Sequence, residues 1–224
     1  MVGGAAPVAS KPPAAGSSAG GVGGATVAGG GSVAMRSLVD DMEANVSSIL
    51  ESDGRAGFWY TFNDGQGGTQ LPAPNGPFLP DPNSGGYPGS ARARRTQGSG
   101  FSGYAGFGFD LNNRAGSRRV YDASAYGGIM LWVRGSVNVR VLLPTRATAP
   151  VTEGGECTAG CNDSFGLELP VTAEWAEQTV SFATLQQLGT PTAGVFDPKA
   201  LLGIAFSIPV GGGFDVWIDE IGFY

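Results

Sequence analysis

The chain has 224 residues, 42% hydrophobic and 14% charged, enough to bury one substantial core and too few for two comfortable ones, so one domain plus a tail is expected. Its net charge of −6 and pI near 4.6 argue against a nucleic-acid partner, since phosphate binding needs a concentrated basic patch, and Arg92-Arg94-Arg95 and Arg118-Arg119 are short runs among glycines and serines. The absence of histidine removes the commonest general base, the usual zinc ligand and every imidazole triad.

Residues 1–35 are almost entirely Gly, Ala, Ser, Pro, Val and Thr, side chains too small to repay the entropy of ordering them. They read as a flexible tether to an anchor or a neighbouring domain. The opening Met1-Val2-Gly3-Gly4-Ala5-Ala6 has neither the basic start nor the apolar core of a signal peptide. The chain is therefore expected to be a fragment, a mature form or a sequence begun downstream of its true start. No stretch approaches the roughly 20 apolar residues of a membrane span.

Over 36–224 apolar residues alternate, and Gly or Pro recurs at intervals suited to a sandwich; with 39 glycines, 15 prolines and few helical stretches, this predicts an all-β antiparallel β-sandwich. Strands are predicted near 38–43, 57–63, 104–111, 127–134, 136–143, 165–170, 177–182, 201–208 and 214–223. The clearest places Ile129, Leu131 and Val133 on one face and Trp132 with Arg134 on the other. From 64 to 100, six prolines (72, 74, 77, 80, 82 and 88) among glycines predict a long loop, on which Phe78 and Tyr87 sit. Residues 182–188 suit one short helical turn. In the last strand, Phe214, Val216 and Ile218 alternate with Asp215, Trp217 and Asp219, and the apolar parity then resumes at Ile221 and Phe223. That shift predicts a β-bulge at Asp219-Glu220.

Acidic-apolar segments open and close this region: Leu38-Val39-Asp40-Asp41-Met42-Glu43, and Phe214–Tyr224 with Asp215, Asp219 and Glu220. If the first and last strands lie side by side, these carboxylates repel one another unless a cation such as Ca²⁺ sits among them. Cys157 and Cys161, without histidine, are too few for a structural zinc site. A local disulfide is a better reading than free thiols, and it implies an oxidising compartment, with the protein secreted or at the cell surface.

Asp-Asp-Met-Glu at 40–43, Phe58-Trp59-Tyr60-Thr61-Phe62-Asn63-Asp64, Tyr121 to Ile129, Cys161-Asn162-Asp163-Ser164-Phe165-Gly166 and Trp217-Ile218-Asp219-Glu220-Ile221 together resemble galactose-binding-like jelly rolls of secreted myxobacterial and other bacterial proteins. The chain is similar to family 11 carbohydrate-binding modules and to the related CIA30-type domains, over roughly residues 37–224. The resemblance implies a structural Ca²⁺ on Glu43 and Asp219, with Asp41 as a third ligand. It also implies histidine where this chain has Ser164.

Sugars are held in water by flat aromatic platforms with polar groups beside them. The rings expected to serve are Trp59, Trp132, Tyr126, Tyr87 and Tyr104, with Arg134 beside Trp132; Trp59 with Thr61 makes a second candidate face. No carboxylate pair is singled out by spacing as a glycosidase needs, and no G-x-S-x-G or P-loop occurs, so no enzyme is expected. The expectation is a non-catalytic module that binds a polysaccharide, a β-glucan first, in a cleft lined by Trp59, Trp132, Tyr126 and Tyr87. The alternative is a structural or adhesive surface domain that binds a protein or matrix polymer, with a glycoside hydrolase third.

Overall fold

The computed structural model describes residues 34–82, 86–114, 116–189 and 194–224. Most of the expected tether, 1–33, lies outside them. Eleven strands are found among the described residues: β1 (Ser37–Asp40), β2 (Trp59–Asn63), β3 (Thr69–Leu71), β4 (Arg94–Ser99), β5 (Ala105–Asp110), β6 (Gly128–Gly135), β7 (Val139–Leu143), β8 (Phe165–Leu169), β9 (Ala176–Ser181), β10 (Gly203–Ile208) and β11 (Phe214–Phe223). All the pairings are antiparallel. One sheet runs β3-β4-β11-β6-β9, with β1 added beside β11, and the other runs β2-β5-β10-β7-β8. The expected all-β sandwich is the observed fold.

The core lies between the sheets and is built by alternation. Ile129, Leu131 and Val133 of β6 and Val216 and Ile218 of β11 face Phe107 and Phe109 of β5, Ile204 and Phe206 of β10 and Val139 and Val141 of β7, all fully buried. The bulge in β11 is present: Asp219 pairs with Trp132 and Gly222 with Met130, so Glu220 and Ile221 share one opposing residue, and Glu220 takes φ +47°. The extra residue returns Ile221 and Phe223 to the core and leaves Asp219 fully buried. The disulfide Cys157–Cys161 is formed, and a 3₁₀ turn spans Phe182–Thr184.

The stretch expected to be loop from 64 to 100 contains β3 and β4. It lacks apolar alternation because β4 turns polar side chains inward. Arg94 and Thr96 are buried there, and Arg94 donates to Asp40 at 3.1 Å, to the Val46 carbonyl at 3.0 Å and to the Phe78 carbonyl. Its guanidinium lies 4.9 Å from the centre of the Trp59 ring, whose Nε1–H donates to Asp40 at 2.6 Å. Burying these polar groups is tolerated because they bond one another inside the protein, Arg94 Nε excepted, so each member depends on the others.

Candidate functional site

The cluster around Arg94 corrects one expectation. Trp59 is 3% exposed and packs against Phe78, Phe107 and Phe109, so it is core and offers no ring to a ligand. Thr61, on the same face of β2, is buried too. Outward parity on this strand belongs to Tyr60 and Phe62.

The other expected rings fall in three places. Trp132 and Arg134 occupy the outer face of the six-stranded sheet, with Tyr87 stacked on Trp132 at 4.8 Å and 11°. Trp217 joins them between two guanidinium groups, Arg95 at 4.5 Å and Arg134 at 4.7 Å, while Arg134 also lies 5.1 Å from Trp175. Arg95 is fixed by a two-point pair with Asp215, at 2.9 and 2.7 Å. These rings are largely covered by one another and by arginine. Tyr126 is elsewhere, stacked on Phe223 at 4.8 Å with Arg36 over its ring. Tyr104 immediately precedes β5 of the opposite sheet. The cleft expected from Trp59, Trp132, Tyr126 and Tyr87 is therefore not a single place.

The outer face of the five-stranded sheet has a different relief, and its register gives two transverse rows: Tyr60–Gly108–Ala205–Leu142–Gly166 and Phe62–Gly106–Ser207–Arg140–Glu168. Each runs from a bulky residue on β2, across small residues on β5 and β10, to a bulky residue on β7. Phe62 lies down over Gly106, where any Cβ would collide with its ring. Leu142 and Arg140 lean the other way, over Gly166, within 3.0 and 3.1 Å of the point its Cβ would occupy. The lowest strip is then β10, with Ala205 and Ser207 as the floor of a groove parallel to the strands. Tyr60, Phe62 and Tyr104 form a continuous aromatic wall, with ring centres 6.2 and 6.4 Å apart, and Phe58 extends it one step further with half its surface exposed. Ser164, where the resemblance implies histidine, is buried. The signal for this site was present in the sequence as Phe58, Tyr60 and Phe62 at every second position, opposite Gly106 and Gly108.

The acidic residues expected to hold calcium gather only in part. The Oδ2 of Asp219 accepts from Tyr87 N–H at 3.3 Å, and its Oδ1 from Glu220 N–H at 2.9 Å. Burial pushes its carboxyl up to about 7 against the Ser90 hydroxyl and these two N–H groups, and the Glu220 charge adds to the rise. Glu43 reaches the same segment: its Oε1 accepts from the Ser90 hydroxyl at 2.6 Å and from Ala91 N–H at 2.9 Å, which hold its carboxyl below the usual range. Asp41 instead accepts from Glu43 N–H at 3.1 Å. Glu220 is raised by burial and then by Asp41 and Glu43. Among the described residues no Arg or Lys pairs with Asp219, and no three acidic side chains converge as a ready metal site. Glu43 and Asp219 thus meet at Ser90, while Asp41 bonds within its own turn.

The sequence matches no protein-family model and no curated protein sequence. Among solved structures it is similar to the family 11 carbohydrate-binding module from Clostridium thermocellum in complex with a β-1,3-1,4-mixed-linked tetrasaccharide, with a TM-score of 0.57 and 14% identity over 86% of this chain and 96% of that one. It is also similar to the family 30 carbohydrate-binding module of a cellulosomal cellulase of the same organism, with a TM-score of 0.55 and 14% identity over 86% and 98%. At that identity the likeness establishes the fold, a jelly-roll sandwich of the carbohydrate-binding-module type.

Proposed function

We propose that this protein is a non-catalytic module that binds a polysaccharide, a β-glucan first, in the groove over β10 on the outer face of the five-stranded sheet. The observation that carries the reading is the aromatic wall of Tyr60, Phe62 and Tyr104 beside a floor of glycine, alanine and serine. Pyranose C–H faces pack on such rings, while Ser207 and the charged groups at the margins are placed for hydroxyls. The disulfide supports a site of action outside the reducing cytosol. Ca²⁺ held by Asp219 and Glu43 belongs to the same proposal, as a brace of the fold remote from the sugar. Its support is a buried carboxylate with acidic neighbours and no basic partner among the described residues.

Affinity electrophoresis of the full chain tests this against gels containing a soluble cellulose derivative, mixed-linkage β-glucan, xylan or mannan. Retardation on one polymer is expected, weakened at least tenfold by Phe62→Ala and unchanged by Trp132→Ala. Loss on Trp132→Ala alone would move the site to the six-stranded sheet. No retardation of folded protein on any polymer would favour the structural or adhesive alternative.

A further inference from the structure

The groove has unlike ends. One step past the row of Tyr60, Gly108 and Ala205, the outward positions are Asp110 on β5 and Gly203 on β10, directly paired. Gly203 has no side chain, and the space above it is taken by Arg118, whose Nη2 lies 3.3 Å from the point a Cβ would occupy. Arg118 is clamped from two sides, by Asp110 at 2.6 Å through Nε and by Glu153 at 3.4 Å through Nη1. These three side chains are only 8–13% exposed. Glu153 closes the short 3₁₀ turn Val151–Glu153, and the left-handed Gly154 after it packs on the Arg118 main chain. Tyr60 borders the same cluster. At the opposite end, β10 runs out into 209–213, all exposed.

A linear polymer bound along its middle must leave a groove at both ends, whereas this one is walled at Arg118. We infer that the groove receives the terminus of a polysaccharide chain, with Arg118, held over Gly203, as the end wall that meets the last sugar. Ion pairs to two carboxylates hold a buried guanidinium as a rigid wall in place of a swinging side chain. The inference rests on the carbohydrate reading of this groove and adds to it the part of the polymer that is recognised.

The test is binding capacity at fixed polymer mass. The full chain is titrated calorimetrically against each of the four polymers, intact and after partial enzymatic shortening to a known mean length. End recognition predicts that moles bound per gram rise in proportion to the number of chain ends. Arg118→Ala, which removes the wall, should make capacity independent of the number of chain ends, whereas Glu153→Gln, which keeps the side-chain shape and leaves the Asp110 pair in place, should keep the dependence. Capacity unchanged by shortening would overturn the inference and leave the carbohydrate reading standing. No binding to any polymer or its fragments would overturn both.

Discussion

Arg94→Met tests whether the polar knot under β4 is part of what holds the two sheets together. The substitution keeps an unbranched apolar stem against Trp59 but strips donors from the Asp40 carboxylate and from the carbonyls of Val46 and Phe78. Arg94 and Asp40 are 1% and 4% exposed at the side chain, so water does not replace the lost bonds at Asp40. Burial pushes the Asp40 carboxyl up despite its guanidinium partner, and it drags Arg94 down to about 10. Desolvation therefore weighs heavily on both members, the situation in which removing one partner costs about 3–5 kcal/mol. The expected loss is about 4 kcal/mol in urea unfolding followed by tryptophan fluorescence at pH 7.5. The sign with pH is also fixed. In the variant the Asp40 carboxyl rises further in the folded state, so stability is retained while that group keeps its proton and is lost as pH rises through its folded value. The deficit should be smaller at pH 4.5 than at pH 7.5, and Asp40→Asn in the same background should recover part of it. A loss under about 1 kcal/mol, or a deficit independent of pH, would refute the reasoning.

Three other outcomes are expected. In the presence of a chelator, the wild type should lose stability as pH climbs from 4 towards 8, because the Asp219 carboxyl is raised to about 7 when folded and the unfolded chain releases that proton earlier. Asp219→Asn should flatten this dependence, and added Ca²⁺ should raise the melting temperature of the wild type only; a calcium shift equal in both proteins would place the ion elsewhere. Cys157→Ser with Cys161→Ser should cost about 2 kcal/mol, since the closed loop is short, and thermal melting showing collapse of the whole domain would contradict that. Gly106→Val should meet both the Phe62 ring and the Phe206 carbonyl, so it is expected to lower the melting temperature and to weaken polymer binding at least as much as Phe62→Ala, measured by thermal melting and on the same gels.

The nine strands read from alternation are all present, because inward parity alone decides whether such a segment can bury a face. Residues such as Val216, Ile218, Ile221 and Phe223 carry that parity in their own spacing, including the bulge between them. The Cys157–Cys161 pairing was legible for a similar reason, with two cysteines four positions apart.

Parity says which residues share a face but not which face is inside when both are aromatic. In β2, Trp59 and Thr61 competed with Phe58, Tyr60 and Phe62, and the choice was made by Asp40, buried from a different strand, which receives the indole N–H. The strands β3 and β4 were invisible because their inward residues, Gln70, Arg94 and Thr96, are polar and become acceptable in a core only once partners from distant segments surround them. The groove was likewise a matter of register: Gly106 and Gly108 on one strand and Ala205 and Ser207 on another make a floor only when the sheet sets them side by side. Its wall, Arg118 between Asp110 and Glu153, joins three segments distant in sequence. The sequence by itself determined the sandwich, since alternation is a local property of the chain; tertiary structure alone decided where a ligand could lie, since neighbours across a sheet are not neighbours along it.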